Sequence, residues 1–516
     1  MQAGNKHHAM RPVSGPWPCA AAACALLSAC TVGPDFTRPV PPSAPRYTAT
    51  PLHSEERSAD PVAQHLAMGA EIREDWWTLF RSDAIDKIVK EALEHNRTLA
   101  GSLATLEQAR ELAAARSASL YPQIGATAGV GRQKYGEEFL GGLAKPLSFT
   151  YFAAGPTVGY TLDLSGGVSR DVEEGRAFAE VAQHQLDAAH LTVTGQAVLQ
   201  SIAIASVRAQ IATLDKRVAQ DGDNLRLVQN AFDNGSVARI DVLAAQNEIV
   251  ADLTLLPPLR QELARARHAL SVTLGRVPAG GLPPDVSLDE ITLPLDLPVS
   301  LPSELAHRRP DILAAEAQLH AATSAVGVAE SNLYPKIQLT ASGALEALHA
   351  EQFFDRSSVA WSALLGVTQP IFDAGRLRAE KRAAVDLMRA SAENYEETVL
   401  EAFAQVADTL EALDHDAEEL DAQTQAQQVA LKRVELARAS YAEGDSGVLQ
   451  VLDAERSYQQ SRLGYVKAIA QRYLDTVQLF LALGGANPAE HPEPHRLRSQ
   501  VKLEPSTPHH LAGESA

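Results

Sequence analysis

The sequence predicts a mainly helical α+β fold built from two internal repeats, in which long coiled-coil helices alternate with short strands. Three observations predict this class: an internal repeat, apolar residues that recur every seven positions, and apolar residues that alternate between those regions. The repeat is clearest where Phe232–Gln246 aligns with Tyr441–Glu455, so that Gly235 and Gly444 lie 209 residues apart. We therefore predict two copies of a unit of about 210 residues.

Apolar residues recur every seven positions in two long stretches. They are Ile204, Ile211, Val218 and Leu225 in the first stretch, interleaved by Val207, Leu214 and Val228, and Val399, Val406, Leu413 and Leu420 in the second, interleaved by Phe403, Leu410 and Ala417. This spacing is typical of coiled-coil helices. The uninterrupted helical runs 170–231 and 375–442 would each be about 90–100 Å long at 1.5 Å per residue. A globular core could not contain helices of this length.

Shorter helical runs are predicted at 84–119, 237–275, 302–333 and 448–484. We expect the first two to stack end to end and the last two to do the same, so that each long helix lies beside one stacked pair. Pro257 and Pro258 interrupt the run 237–275. Because proline removes a backbone donor and clashes with the preceding turn, a kink or a break is expected there.

Between the helices, apolar and polar residues alternate, which predicts strands of about ten residues. Four such segments lie near 121–133, 158–164, 337–342 and 361–368. A tilted strand that crosses a membrane has this length and one apolar face. Four strands cannot close, and an open sheet edge in lipid would leave backbone groups unsatisfied. Several chains must then share one barrel, and three copies would supply twelve strands; the alternative is a soluble sheet packed on one face.

The N-terminal segment predicts export and lipid attachment. Residues 11–30 begin with a basic residue, pass through an apolar run and end in small residues, as in an export signal. The sequence Leu-Ser-Ala-Cys30 resembles the lipobox of bacterial lipoproteins, in which the cysteine is acylated and becomes the new N-terminus. Thr31 stands where a signal for inner-membrane retention would usually place Asp, so delivery to the outer membrane is implied. The alternative is an ordinary buried cysteine.

Composition excludes several classes of function. The net charge of −19 argues against binding nucleic acid through its phosphates and favours neutral or cationic solutes. Apart from the interrupted N-terminal run, the sequence has no stretch of 18 apolar residues, so no transmembrane helix is expected. The histidines lack metal-ligand spacing, and phosphate-loop and nucleophile motifs are absent. We therefore expect neither an enzyme nor a cofactor or metal site.

Several motifs together resemble one family. In order, they are Cys30-Thr-Val-Gly-Pro-Asp-Phe, Trp76-Trp77, Leu120-Tyr-Pro, Asp163-Leu-Ser-Gly, Gly235-Ser-Val-Ala-Arg-Ile-Asp-Val-Leu, Arg308-Arg-Pro-Asp-Ile, Gln369-Pro-Ile-Phe-Asp-Ala-Gly-Arg and Val451-Leu-Asp-Ala-Glu-Arg. In order and spacing they resemble the NodT-type outer-membrane lipoproteins of RND efflux systems, which belong to the TolC-like outer-membrane factors. The similarity extends from Cys30 to about Gly485.

The resemblance implies a homotrimeric channel in the outer membrane. A 12-stranded β-barrel with four strands per chain would continue as a helical coiled-coil barrel through the periplasm. The channel would be a passive conduit that exports small molecules such as drugs or other toxic compounds. Its implied partners are outer-membrane lipid, a periplasmic adaptor (membrane fusion) protein and an inner-membrane pump of the resistance-nodulation-division (RND) type. No cofactor is implied beyond the covalent lipid on Cys30.

The resemblance also implies a periplasmic gate. Gly235 and Gly444 would form the turns at the tips of the two helical hairpins, because glycine permits the positive φ that ends a helix. Rings of Leu449 and Asp453 would narrow the pore. The alternatives are a coiled-coil core position for Leu449 and a solvated helix face for Asp453. The family's basic residue just before the tip glycine is absent, since Glu443 precedes Gly444.

The first tip carries residues that the resemblance assigns to adaptor contact, Arg239 and Asp241. The alternative for Asp241 is a local helix cap or ion pair.

We divide the chain into a lipoprotein signal peptide (1–29), a lipidated extended linker (30–75), the first repeat (76–285), the second repeat (286–485) and a polar tail expected to be disordered (486–516). Two other functions stay open: a conduit for type I protein secretion and a lipid-anchored coiled-coil scaffold without a pore.

Overall fold

The computed structural model describes residues 31–41, 44, 46–49, 64–70, 72–134 and 148–485. The helices are α1 (Asp83–His95), α2 (Arg97–Ser117), α3 (Gly167–Asp233), α4 (Arg239–Thr273), α5 (Pro302–Leu305), α6 (Pro310–Ser331), α7 (Arg376–Glu443) and α8 (Val448–Ala482). The strands are β1 (His65–Met68), β2 (Gln123–Lys134), β3 (Ser148–Leu162), β4 (Asp296–Val299), β5 (Lys336–Ala347) and β6 (Val359–Thr368). The predicted signal peptide, Cys30 and the tail 486–516 lie outside the described residues.

The two long helices confirm the predicted coiled-coil runs. α3 contains 67 residues and α7 contains 68, so each is about 100 Å long. The heptad positions form their packed seams. The buried ones are Ile204, Val207, Leu214 and Val228 in α3, and Val399, Val406, Leu410 and Leu413 in α7. Ile211, Val218, Leu225 and Leu420 are half-buried. Each long helix therefore buries one stripe along its length, as the seven-residue period predicts.

The shorter helices stack end to end in both repeats, as expected, although two predicted runs are interrupted. The run 84–119 is divided at Asn96, and the run 302–333 is divided before Pro310. Asn96 donates a hydrogen bond from Nδ2 to Thr273 O (2.8 Å), which places the start of α2 at the end of α4. Arg309 donates from Nη1 to Ala482 O (2.7 Å) and joins α6 to α8 in the same way.

A kink or a break was expected at Pro257 and Pro258, and the break is wrong, because α4 continues through both residues. The two prolines are exposed, and so are Leu253 and Thr254, whose carbonyl groups lose their intrahelical donors. Water can reach these carbonyl groups. The opposite face of α4 meanwhile packs against α3 and keeps the helix continuous.

The four predicted membrane strands are confirmed as one antiparallel sheet. Its strand order is β2-β3-β5-β6, which leaves β2 and β6 as unpaired edges among the described residues. Along β5 and β6, Ile337, Leu339 and Ala341 pair with Val367, Leu365 and Ala363, so one face of the sheet is apolar. The opposite face carries polar residues such as Ser342 and Ser362, whose hydroxyl groups hydrogen-bond at 2.8 Å.

A compact core lies where the ends of the stacked helices meet. Trp76 stacks on Phe480 with a centroid distance of 5.2 Å, and both rings are buried with Phe80. A small parallel sheet of β1 and β4 covers this region. The sequence did not predict that pairing, which joins segments more than 200 residues apart.

One described helix, α3, contains an 18-residue window that is long and apolar enough to cross a membrane. However, 61% of that window is buried inside the protein. The core helix of a soluble protein passes the same test, so this is weak evidence for a transmembrane helix. The buried fraction agrees with the packing of α3 against its neighbours.

Candidate gate at the helical tips

Gly235 and Gly444 form the turns at the ends of α3 and α7, as predicted from the sequence. Gly235 has φ 74° and Gly444 has φ 81°, both in the left-handed region. At the second tip, Gly444 N donates to Tyr441 O and Asp445 N donates to Ser440 O, which closes the last helical turn. A side chain at either glycine would meet open space, so backbone conformation, and not crowding, requires glycine here.

The structure places Leu449 and Asp453 on successive turns of α8, directly after the second tip. The side chain of Leu449 is 44% exposed. The buried residues at this tip are instead Val451 and Ala454, which pack against Val434 and Ala437 of α7. Leu449 is therefore outside the core of its own chain. Asp453 is exposed and forms an ion pair with Arg433 of α7 (Nη2 to Oδ2, 2.5 Å).

Leu449 and Asp453 line a cavity of about 170 Å³ between α3, α4 and α8. The rest of its lining includes three acidic residues, Asp221, Asp241 and Glu248, and one base, Arg456. Within the described residues, no group of three or more histidine, cysteine or acidic side chains is arranged to hold a metal ion.

Polar contacts tie the two hairpins together near this cavity. Arg456 Nη1 on α8 donates to Glu248 Oε1 on α4 at 2.9 Å. Asn224 on α3 donates to Glu455 on α8 at 3.3 Å, and Arg438 on α7 pairs with the same carboxylate at 2.6 Å. Sequence reasoning missed these links because they join helices that lie far apart in the chain.

Asp221, a half-buried residue of the cavity lining, forms an acidic pair with the buried Asp252. Asp252 of α4 is 2% exposed and pairs with Arg217 of α3 (Nε to Oδ2, 2.5 Å). Burial raises the pKa of Asp221 to about 7, and the hydrogen bond to Asp252 and the negative charge of Asp252 also raise it. The positive charge of Arg217 lowers it. The signal for Asp221 was present in the sequence, since it occupies a heptad position between Leu214 and Val228.

At the first tip, Arg239 and Asp241 open helix α4. Arg239 is exposed. Asp241 is half-buried, and its Oδ2 accepts a hydrogen bond from Ala238 N at 2.9 Å. The local helix cap that we named as the alternative for Asp241 is therefore present, and its carboxylate also faces the cavity.

Residues 31–38 run along α3 and α6 from the junction of strands and helices. Val32 N donates to Ser165 O at 3.0 Å, between the end of β3 and the start of α3. Farther along, Asp35 pairs with Arg170 at 2.5 Å, and Phe36 stacks on His320 with a centroid distance of 4.4 Å. The chain that follows Cys30 is thus fixed at the base of the β2-β3-β5-β6 sheet.

The sequence model of the family described as outer membrane efflux protein matches residues 88–276 and 301–485. These segments cover most of α1, all of α2–α8 and the four strands of the β2-β3-β5-β6 sheet. The match accounts for more than half of the chain.

Curated relatives are similar over most of their length. The pyoverdine export outer membrane protein OpmQ of Pseudomonas putida is 30% identical over 427 residues, which is 81% of this chain and 89% of that protein. The probable outer membrane lipoprotein SilC of Salmonella typhimurium is 27% identical over 471 residues, 89% of this chain and 96% of that one. The solved structure of the outer-membrane channel OprN is 26% identical and has a TM-score of 0.79, covering 89% of this chain and 99% of that one.

Proposed function

This chain belongs to the outer membrane efflux protein family and is the outer-membrane channel component of a tripartite efflux system, and we propose that three copies form one conduit. The observation that carries this proposal is the open β2-β3-β5-β6 sheet. Its edge strands have backbone groups that no strand in the described part of the chain pairs with. Those groups can be satisfied in lipid only when neighbouring copies continue the sheet. Three copies would close a barrel of twelve strands.

The two faces of the sheet suit a barrel that carries solutes through its interior. Trp361, Leu365 and Val367 are 81%, 61% and 64% exposed on the apolar face, which would contact lipid. The face with Ser342 and Ser362 would line the interior. An apolar exterior and a polar interior are the arrangement that water-filled barrels use.

The helices would continue this conduit through the periplasm. α3 and α7 extend about 100 Å, far beyond the thickness of a bilayer. Their tips would meet a periplasmic adaptor protein, for which Arg239 and Asp241 are contact candidates, and through it an inner-membrane pump of the RND type. The conduit is passive in this proposal, so the pump supplies the energy.

Leu449 and Asp453 would form the closed constriction at the periplasmic end. Because Leu449 is exposed in the single chain, a position facing the axis of a trimer would give it apolar partners from the other two copies. The pair between Glu248 and Arg456 would hold the second hairpin against the first in this state. An apolar ring of this kind can block ions by excluding water.

Cys30 would carry the lipid anchor. The preceding segment is outside the described residues, but Val32 is hydrogen-bonded where β3 meets α3, at the membrane end of the helices. Acyl chains on Cys30 would therefore lie close to the inner leaflet of the outer membrane. Anchoring by two or more chains is stable because each buried methylene contributes about 0.8 kcal/mol.

Small molecules are the proposed cargo. OpmQ of Pseudomonas putida is named for pyoverdine export. The net charge of −19 suits neutral or cationic solutes better than anions. The pump would select among them, because the conduit is passive in this proposal.

The experiment that tests the conduit and its gate is conductance in planar bilayers. We expect a small conductance from the wild-type oligomer and a rise of several-fold in the Leu449→Ala, Asp453→Ala double variant. The matched control is Ile240→Ala, since Ile240 holds the equivalent position at the first tip and is 72% exposed. It should leave conductance unchanged. An intact oligomer that conducts in neither form would refute the conduit and favour the scaffold.

A further inference from the structure

The carboxylate of Asp453 is paired with a base from its own chain. Arg433 Nη2 lies 2.5 Å from Asp453 Oδ2, and the pair bridges α7 and α8 beside the second tip. The side chains of Arg433 and Asp453 are 50% and 60% exposed. Both charges therefore face water at the place where the proposed constriction forms.

Packing at the second tip fixes this pair. Val434 and Ala437 of α7 pack against Val451 and Ala454 of α8, and this small core sets the position of one helix against the other. Arg433 precedes Val434 directly and is presented from the same turn of α7. The arginine and the aspartate are thus held together by buried neighbours as well as by their charges.

The first tip has no such pair. With the repeat offset of 209 residues, the positions equivalent to Arg433 and Asp453 are Asn224 and Ala244. Asn224 is used differently, since it donates to Glu455. Of these two sets of equivalent positions, only the set in the second hairpin carries the charge pair. The second hairpin is also the one that carries the proposed gate.

We propose that Arg433 neutralises Asp453 at the constriction and thereby sets the ion selectivity of the channel. This inference rests on the proposed function, because it assumes that Asp453 faces the pore. Three unpaired carboxylates around an axis would attract cations and hold divalent ions. Three carboxylates that are each paired with a guanidinium present little net charge, so small ions of either sign meet a similar field at the ring.

Four proteins that differ in charge at these two positions separate the effect of Arg433 on ion selectivity from the effect of Asp453. The wild type has both charges, Arg433→Gln leaves three free carboxylates, Asp453→Asn leaves three free guanidinium groups, and the double variant has neither. All substitutions are close in size to the native side chains, so the tip core of Val434 and Ala454 is preserved.

The measurement is the reversal potential in a potassium chloride gradient, which gives the permeability ratio of potassium to chloride. We expect this ratio to rise at least threefold in Arg433→Gln, to fall below the wild-type value in Asp453→Asn, and to return near it in the double variant. Millimolar magnesium chloride should reduce the conductance of Arg433→Gln at least twofold more than that of the wild type. The control is Arg438→Gln, which removes the same charge from α7 but pairs with Glu455.

The outcomes distinguish this inference from the proposed gate. If Asp453→Asn changes selectivity and Arg433→Gln does not, the constriction stands and the role of Arg433 is refuted. If Asp453→Asn changes neither conductance nor selectivity in an intact oligomer, the position of the gate is wrong and the inference fails with it. An equal response of Arg438→Gln and Arg433→Gln would show a general charge effect and would also overturn the proposal.

Discussion

The acidic pair of Asp221 and Asp252 should make the first hairpin less stable as pH rises. Asp221 lies on α3 and Asp252 on α4, so the pair joins the two helices of that hairpin. At the equivalent positions of the second hairpin the chain has Ala430, which is 6% exposed, and Ser461. The second hairpin therefore packs small side chains where the first must accommodate two carboxyl groups.

The sign of the pH effect follows from the direction of the pKa shift. The pKa of Asp221 is raised from 3.8 to about 7 in the folded chain, mainly by burial and then by Asp252. The negative charge of Glu248 also raises this pKa, and the positive charge of Arg217 lowers it. Between these two values the folded chain holds a proton that the unfolded chain releases. The resulting stabilisation is fully present below pH 3.8 and is lost as pH rises through about 7.

The perturbation is Asp221→Asn, which keeps a donor for the hydrogen bond to Asp252 and removes the titration. A pKa difference of this size would correspond to about 4 kcal/mol for a group fully removed from water. Asp221 is only half-buried, and solvent screens its charge, so we expect about 1–2 kcal/mol. The variant should be more stable than the wild type by this amount at pH 8, by roughly a third of it near pH 5, and equal to it below pH 3.8.

The assay is hydrogen exchange of the purified oligomer, followed in peptides that span 215–255 and corrected for the intrinsic effect of pH. Local opening free energies are read from such protection factors. About two thirds of this energy is lost between pH 5 and pH 8, so we expect wild-type protection to fall about 3- to 8-fold over that range, since 1.4 kcal/mol is a factor of ten. Asp221→Asn should remove this fall.

The matched control is Asp223→Asn, which changes the same charge at an exposed position that pairs with Arg226 on its own helix. Its protection should follow the wild type at every pH. Constant or rising wild-type protection from pH 5 to pH 8 would refute the reasoning. So would an identical response of Asp223→Asn and Asp221→Asn, because the effect would then come from net charge.

Two further predictions concern the second tip and the N-terminus. Gly444→Ala should cost about 1 kcal/mol because it forces a side chain into the left-handed region, giving roughly fivefold lower exchange protection around 435–455; Gly447→Ala, at φ −83° in open space, should cost much less, and an equal loss in both would contradict the argument. The intact mass of the membrane form should show a chain that begins at Cys30 with acyl chains, which Cys30→Ser lacks while still inserting; a wild-type N-terminus upstream of Cys30 would exclude the anchor.

The sequence was sufficient for features that depend on local periodicity or local backbone requirements. The heptads of α3 and α7, the alternating strands and the glycines at the tips are of this kind. The repeat also predicted the order of helices and strands, because each feature occurs once in each copy. The predicted break at Pro257 and Pro258 was wrong because the cost of proline depends on whether water can reach the carbonyl groups that it leaves free, and exposure is not readable from the residues alone.

Contacts between distant segments were not predictable in the same way. The pairing of β1 with β4 and the bridge from Glu248 to Arg456 depend on how helices and strands assemble, not on any local pattern. Two signals were nevertheless available: Asp221 occupies a heptad position that should be apolar, and Pro310 marks a helix start within the predicted run 302–333. Charged residues at coiled-coil core positions are therefore informative about sites as well as about packing.

The two repeats agree where they build the fold and differ where the proposed gate lies. Asn96 and Arg309 occupy equivalent positions, and both donate to the last carbonyl of a terminal helix, Thr273 O and Ala482 O, although their side chains are chemically unlike. At the tips the glycine turns still correspond, but the charged side chains do not. The acidic pair occurs only in the first hairpin, and the pair of Arg433 and Asp453 only in the second. Equivalent positions that make the same contact in both repeats therefore maintain the fold. We expect substitutions at these positions to change the stability of the protein. Positions that have diverged in charge between the hairpins are where substitutions should change conductance, selectivity or its dependence on pH.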